Sequence, residues 1–432
     1  MVYAKELEKY NSIDLQLKFK LDSSITKSLI ERKVLYKDEK NTYFFKFVGI
    51  LIINDRVIFC LPKYINDSDK VTTVKQILSL FKEYSRREKL DAEELETIGN
   101  IESLLAYNLL STIIFMLTDY FENGLYSNEK NIYVLNGENE VNWLKTINEV
   151  QPIISDGEPI YLEYYTNSTQ SDEENYFRQL HRYVLDLCSK KLSKLGLSDF
   201  LGFEAINFDV DEDGLGTPQT MVSQIYNELN VQFVSRKQLL LKAMAAFIAN
   251  EKMDAENATI SFYGTRSFHT VWEKTCGYIL NNRYEDIKKY VDHPKWKTVN
   301  GIIYDAETLI PDIISITENT FIISDAKYYN ITLADDKKLS GNPGVEDVTK
   351  QYLYQLALGE YIKTHNFTKV RNMLLFPTEE EKLLKIGDVT IKFLKKLELE
   401  DITLFKLPAS RVFNLYIGSK KADLNRLLDC EI

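Results

Sequence analysis

The sequence has little of what builds a secreted, membrane or cysteine-metal protein. Only four cysteines occur in 432 residues, and Cys60, Cys188, Cys276 and Cys430 stand far apart with no CxxC pair. That spacing excludes a zinc knuckle and a dense disulfide framework, and it fits a reducing cytoplasm. Histidine is as scarce: His181, His269, His293 and His365 are scattered and support no histidine-metal site. No GxxxxGKS or GxxxxGKT loop occurs, since "FYGTRSF" and "GNPGVED" both lack it, so the chain is not expected to hydrolyse a nucleotide. The opening "MVYAKELEKY" has no apolar core of a signal peptide. The most membrane-like run, Leu104 to Phe121, contains Asn108, Ser111, Thr112 and Asp119 and reads as a buried helix, not a span.

An excess of positive charge is also missing. The net charge is −11, which argues against a surface that coats nucleic acid throughout. The distribution is uneven. From Asn131 to Asn175 there are nine acidic residues and one lysine, whereas from Ser261 to Asn300 there are seven basic against four acidic. Any DNA-binding site is therefore expected to be local and toward the C-terminal half.

What is present is ordinary globular material, 44% hydrophobic and 27% charged, enough for two or three domains. In residues 1–166, Phe44–Ile53 and Val57–Leu61 read as strands around a turn at Asn54-Asp55-Arg56. An amphipathic helix with Val71, Val74, Leu78 and Phe81 on one stripe follows. The segments "NIYVLNGENEVNWLKTINEV" and "EPIYLEYYT" read as extended. Residues 167–254 turn mostly helical. Within them "DVDEDGLGTPQT", Asp209 to Thr220, resembles half a calcium loop, but Thr220 replaces the twelfth-position Glu and Pro218 intrudes, so a solvated turn before a helix is favoured. Residues 255–432 alternate: a helix around Phe268–Asn281, a hairpin, a helix from Val345 to Thr364, then strands "VRNMLLFPT", "DVTIKFLKKL" and "RVFNLYIG". The expected fold is α+β multidomain, with an α+β N-terminal domain, a helical segment and a C-terminal α/β domain.

The chemistry gathers on the hairpin "IPDIISITENTFIISDAKYY", Ile310 to Tyr329. Side chains two apart in a strand share a face, so Asp325 and Lys327 project together beyond Phe321 and Ile323. Pairing across Thr317–Thr320 brings Asp312, after Pro311, opposite Asp325. Two carboxylates so close repel, and a divalent cation between them removes the repulsion. Mg²⁺, with Mn²⁺ as substitute, takes a few carboxylates, waters and phosphate oxygens, so Asp312, Asp325 and the Ala326 carbonyl would make a partial shell. Lys327 would serve the attacking water and offset charge building on a phosphate.

Pro-Asp, hairpin, Asp-x-Lys resembles the PD-(D/E)xK nuclease signature. Glu273 in "FHTVWEKTCGYIL" occupies the place of the helical acidic residue that such nucleases carry near the metal. "KQYLYQLALGEY" resembles their glutamine-bearing helix; Gln351 and Gln355 are four apart on one face, and the context favours Gln355. More specifically, "FKFVGILIINDRVIFCLPKYI", "VNWLKTI", "NVQFVSRKQLLLK" and "VWEKTCGYIL" are similar to the LlaJI family of restriction endonucleases, whose nuclease subunit is McrC-like. That resemblance, over about residues 40–360, implies a restriction-endonuclease-like C-terminal domain that cuts double-stranded DNA. It also implies an N-terminal docking domain for a separate McrB-like AAA+ GTPase. The rival expectation is a catalytically silent nuclease-like scaffold that bridges a motor subunit and DNA.

Overall fold

The computed structural model describes residues 1–88, 109–210, 213–253, 260–305, 308–397 and 399–425. The chain gathers into two compact units, Met1–Gly99 with Ala258–Ile432, and Asn100–Asn257. The linear division expected from the sequence, at residues 166 and 254, differs from this grouping. The reason is the antiparallel pairing of Val48–Ile53 with Ile260–Thr265, which joins residues far apart in sequence into one sheet.

In the first unit, β1 (Val2–Lys5), β2 (Val48–Ile53), β3 (Arg56–Leu61) and β4 (Ile260–Thr265) form a sheet in the order β1-β3-β2-β4. The β2–β3 hairpin turns on Asn54 and Asp55, with φ of 48° and 61°, the left-handed pair that a two-residue hairpin requires. β2 and β4 are antiparallel with Gly49 facing Gly264. A Cβ on Gly49, at φ 141°, would sit 2.3 Å from the Tyr263 carbonyl oxygen, so the close approach of these two strands requires glycine.

The second sheet carries β5 (Ile313–Ile316), β6 (Thr320–Ala326), β7 (Lys369–Thr378), β8 (Leu384–Val389) and β9 (Ile402–Pro408), ordered β5-β6-β7-β9-β8. β6, β7 and β9 run parallel, and β5 and β8 are antiparallel edges. Every residue of β6 is buried, as a strand covered on both faces must be. Ile314, Phe321 and Ile323 pack with Tyr354 and Leu358, the latter just past the helix Val345–Ala357 that connects β6 to β7. Ser315, on the other face, donates its hydroxyl to the Leu280 carbonyl, so the helix Phe268–Ile279 covers that side.

Three local expectations need correction. The helix from Val345 to Thr364 is two helices, Val345–Ala357 and Gly359–Thr364, broken at Leu358 ahead of a glycine with poor helix propensity. "RVFNLYIG" is not a strand but most of the helix Ala409–Ile417, because Val412, Phe413 and Tyr416 bury one helical face. The strand before it, Ile402–Pro408, went unassigned, and the strand expected at Asp388–Leu397 lies earlier, at Leu384–Val389, with a 3₁₀ turn at Leu394–Leu397.

The second unit contains the helices Leu109–Asn123, Tyr176–Leu195, Pro218–Leu229 and Ser235–Met253. Of the run from Leu104 to Phe121, residues 104–108 lie outside the described residues; the rest is a buried helix, and its Asp119 forms a two-pronged ion pair with Arg236. Among the described residues no helix is long and apolar enough to cross a membrane. The acidic stretch at Asp209 leads to a helix capped by Thr217 with proline in its first turn; residues 211–212 of that stretch lie outside the described residues. The segment "NIYVLNGENEVNWLKTINEV" holds the strand Glu129–Leu135 but also the helix Trp143–Glu149, whose start Asn142 caps through Lys145 N–H.

His181 is fully buried in this unit, and its Nδ1 accepts the Tyr126 N–H at 2.9 Å. Burial, with the charges of Arg236 and Arg178, pushes its pKa down to about 3. An unfolded histidine titrates near pH 6.5, so between those values only the unfolded chain takes up the proton. Stability is therefore expected to hold above about pH 6.5 and to fall toward pH 3, by up to about 1.4 kcal/mol per pH unit. Denaturant midpoints at pH 7 and pH 5 check this; His181→Gln, which keeps an acceptor, should flatten the difference.

Candidate functional site

The site stands at the C-terminal end of β6. β5 and β6 pair with Ile313 facing Ser324 and Ile316 facing Phe321. One step further in that register brings Asp312 opposite Asp325, as the alternation in the sequence predicts. The two carboxyl groups are close enough for the charge of Asp325 to act on Asp312. Asp312 Oδ2 also accepts the Ala326 N–H at 3.2 Å.

Lys327 Nζ lies 2.8 Å from Asp325 Oδ2 and 3.4 Å from Asp347 Oδ1. Burial, then Asp325 and the charge of Glu273, push Asp312 up to about 8, with Lys327 opposing. Burial and the neighbouring charges thus favour the neutral form of Asp312. Burial also raises Glu273, against the pull of Lys327 and with a push from Asp325. For Lys327 burial acts downward, but Asp325, Asp312 and Asp347 outweigh it and raise the ammonium above its ordinary range. The lysine stays charged.

Four of the sequence-derived residues, Asp312, Asp325, Lys327 and Glu273, are thus electrostatically joined. Ala326 enters through its N–H. The two glutamines lie under the sheet: Gln351 Nε2 donates to the Ile323 and Met373 carbonyls at 3.2 Å each, and Gln355 Oε1 accepts from Asn372 Nδ2 at 3.4 Å. Gln351 ties the helix Val345–Ala357 to the backbones of β6 and β7.

Sequence reasoning missed Asp347, Tyr354 and Glu6. Asp347 precedes Gln351 by four and Gln355 by eight, so the helical face that grouped the glutamines extends back to it. Tyr354 is raised by burial and then by Asp325 and Asp312. Glu6 gave no local signal. Its carboxylate accepts the Tyr328 hydroxyl at 2.6 Å, and the Lys63 N–H donates to Tyr328 Oη at 3.2 Å, pinning the N-terminal segment beside Lys327.

Among the described residues no three His, Cys, Asp or Glu side chains converge to enclose an ion. Mg²⁺ does not require such a cage, because it keeps several waters and takes one or two carboxylates. A buried Asp325 beside a part-buried Asp312 whose carboxyl is disfavoured as a bare charge is a donor set that fits such a cation.

A mixed α/β unit in which a carboxylate before an edge strand meets a carboxylate and a lysine at the end of the neighbouring strand is the class this geometry defines. Residues 47–410 match the family described as LlaJI restriction endonuclease. A Bacillus subtilis (strain 168) protein, the type II restriction enzyme BsuMI component YdjA, is 34% identical over 408 residues, 91% of this chain and 84% of that protein. A chain from the solved tetradecameric assembly of Thermococcus gammatolerans McrB AAA+ hexamers with bound McrC is also similar, with a TM-score of 0.43 and 10% identity over 99% of each chain. The chain belongs to the LlaJI restriction endonuclease family.

Proposed function

We propose that this chain is the DNA-cleaving subunit of a bacterial restriction system, a cytoplasmic Mg²⁺-dependent endodeoxyribonuclease with a PD-(D/E)xK domain. The observation that carries the reading is Asp312 against Asp325 with Lys327 2.8 Å from the latter, at the end of a buried strand. Asp312 and Asp325 would hold Mg²⁺ or Mn²⁺, with the Ala326 carbonyl as a further oxygen and Glu273 assisting. The cation would supply Lewis-acid stabilisation of a phosphate. Lys327, kept charged by its carboxylates, would orient the attacking water and offset charge on the phosphate. Calorimetry with Mn²⁺ tests the cation site: binding by the wild type that vanishes in Asp325→Asn supports it, and equal binding by both rejects it.

Asp347 shares Lys327 with Asp325 and so fixes where the ammonium points. Asp347→Asn is expected to slow cleavage about tenfold, the size of one lost ion-pair contact, with KM little changed. Asp347→Glu should recover part of the rate in steady-state assays.

The restriction system would also contain an McrB-like AAA+ GTPase. The Bacillus subtilis relative is described as a component of its enzyme, which suits a subunit. In the second unit, the helix Trp143–Glu149 and the hairpin of Ile153–Ser155 with Glu158–Ile160 expose Leu144 by 76%, Ile154 by 65% and nearby Leu162 by 70%. An apolar patch of this kind in an acidic segment suits a protein partner better than a phosphate backbone.

A further inference from the structure

We infer that the exposed ribbon before the site hairpin is a duplex-DNA contact that seats the substrate over Asp312; the inference rests on the nuclease reading above. Lys295–Lys297 pairs antiparallel with Ile303–Asp305, Trp296 opposite Tyr304 and Lys297 opposite Ile303. Trp296 and Tyr304 therefore share one face, and Lys295 and Lys297 the other. All residues from 294 to 304 are exposed, Trp296 by 64% and Tyr304 by 59%. A two-stranded ribbon is marginal by itself in water, and this one buries none of its large apolar side chains. Its apolar surface is of the kind a bound partner covers.

Charge says which partner. In a chain of net charge −11, residues 288–305 hold Lys288, Lys289, Lys295 and Lys297 against two acidic residues, Asp292 and Asp305, the latter opposite Lys295. Position agrees. Lys288 precedes the ribbon and Ile310 follows it, and both line a groove of about 560 Å³ that also contains Lys274, Glu273 and Asp312. The chain on both sides of the ribbon thus borders the groove that holds Asp312, where Lys274, Lys288 and Lys421 stand among Glu88, Glu273 and Glu285, and a duplex on the ribbon would lead toward it. A two-stranded ribbon has the dimensions of the DNA major groove: its Trp296–Tyr304 face would offer apolar contact to base edges, and Lys295 and Lys297, at the back of one strand, would reach the phosphates flanking that strand.

The test uses the full chain, alone and with its AAA+ partner, and a fluorescein-labelled 30-bp duplex of mixed sequence titrated in EDTA over a range of salt. The doubly substituted Lys295→Gln, Lys297→Gln protein is expected to bind on the order of tenfold more weakly. Its plot of log affinity against log salt should be shallower by about 2, one unit per lost phosphate contact. Trp296→Ala should weaken binding at every salt without changing the slope. All three side chains are exposed, so melting curves should match the wild type.

Unchanged affinity and slope in the double variant overturns the inference. So does a loss of binding to the AAA+ partner or to a second copy with DNA affinity intact, which would assign the ribbon to a protein. Cleavage by wild type that Asp325→Asn loses, alongside ribbon variants that bind normally, would sink the ribbon alone. A wild type that neither binds nor cuts would sink the nuclease reading with it.

Discussion

Asp325→Asn is expected to fold as the wild type does and to lose Mg²⁺-dependent cleavage on the order of a thousandfold or more. A cation that stabilises charge on a phosphate contributes several kcal/mol, and each 1.4 kcal/mol of barrier is about tenfold in rate. The same region makes a second expectation in the opposite direction. Asp312 is held near pKa 8 by burial and by Asp325, so without a cation the native state carries an unfavourable pair. Asp312→Asn relieves it while keeping the shape and an oxygen to accept the Ala326 N–H. Its melting temperature in EDTA should rise, by on the order of 2–4 °C for each kcal/mol relieved. Mg²⁺ should then stabilise the wild type and leave Asp312→Asn unmoved. A functional residue whose removal stabilises the fold is what a binding site implies, whereas a structural ion pair would show loss of stability. Calorimetric melts with and without Mg²⁺ read the difference.

The second large effect concerns the partner. Leu144→Asp with Ile154→Asp places two charges on the exposed apolar surface of the second unit. Neither side chain supports a core, so the variant should melt normally and bind Mn²⁺ as the wild type does. Its association with the AAA+ subunit should weaken a hundredfold or more, since truncation or charge at an interface centre costs about 2–4 kcal/mol. GTP-dependent cleavage should fall in step. Co-purification and plasmid cutting measure the two independently. Retained association would move the docking surface elsewhere.

The legible part of this protein was local. Alternation and register along one hairpin were enough to place Asp312, Asp325 and Lys327, because a strand's period of two leaves no freedom once the turn is fixed. Glu273 followed from a helix adjoining it. Asp347 lies on the same helical face but carries no signal of its own, since an acidic residue in a first helical turn is ordinary. Glu6 was out of reach. It meets Tyr328 across 322 residues of chain, and no local pattern records such a contact. The pairing of Gly49 with Gly264 was hidden in the same way, and with it the union of the N-terminal strands with the C-terminal part. The helix Ala409–Ile417 was misread because short apolar runs fit both periods, and only burial of Val412, Phe413 and Tyr416 separates them.

The most direct measurement is cleavage of unmodified plasmid DNA with Mg²⁺ by wild type and by Lys327→Ala, without and with the co-expressed AAA+ partner and GTP. Cutting by the wild type with partner and GTP, and none by Lys327→Ala under the same conditions, is the expected result. Equal cutting by both proteins would mean that the carboxylate–lysine cluster is not the catalytic site, and silence from both would leave a scaffold in its place.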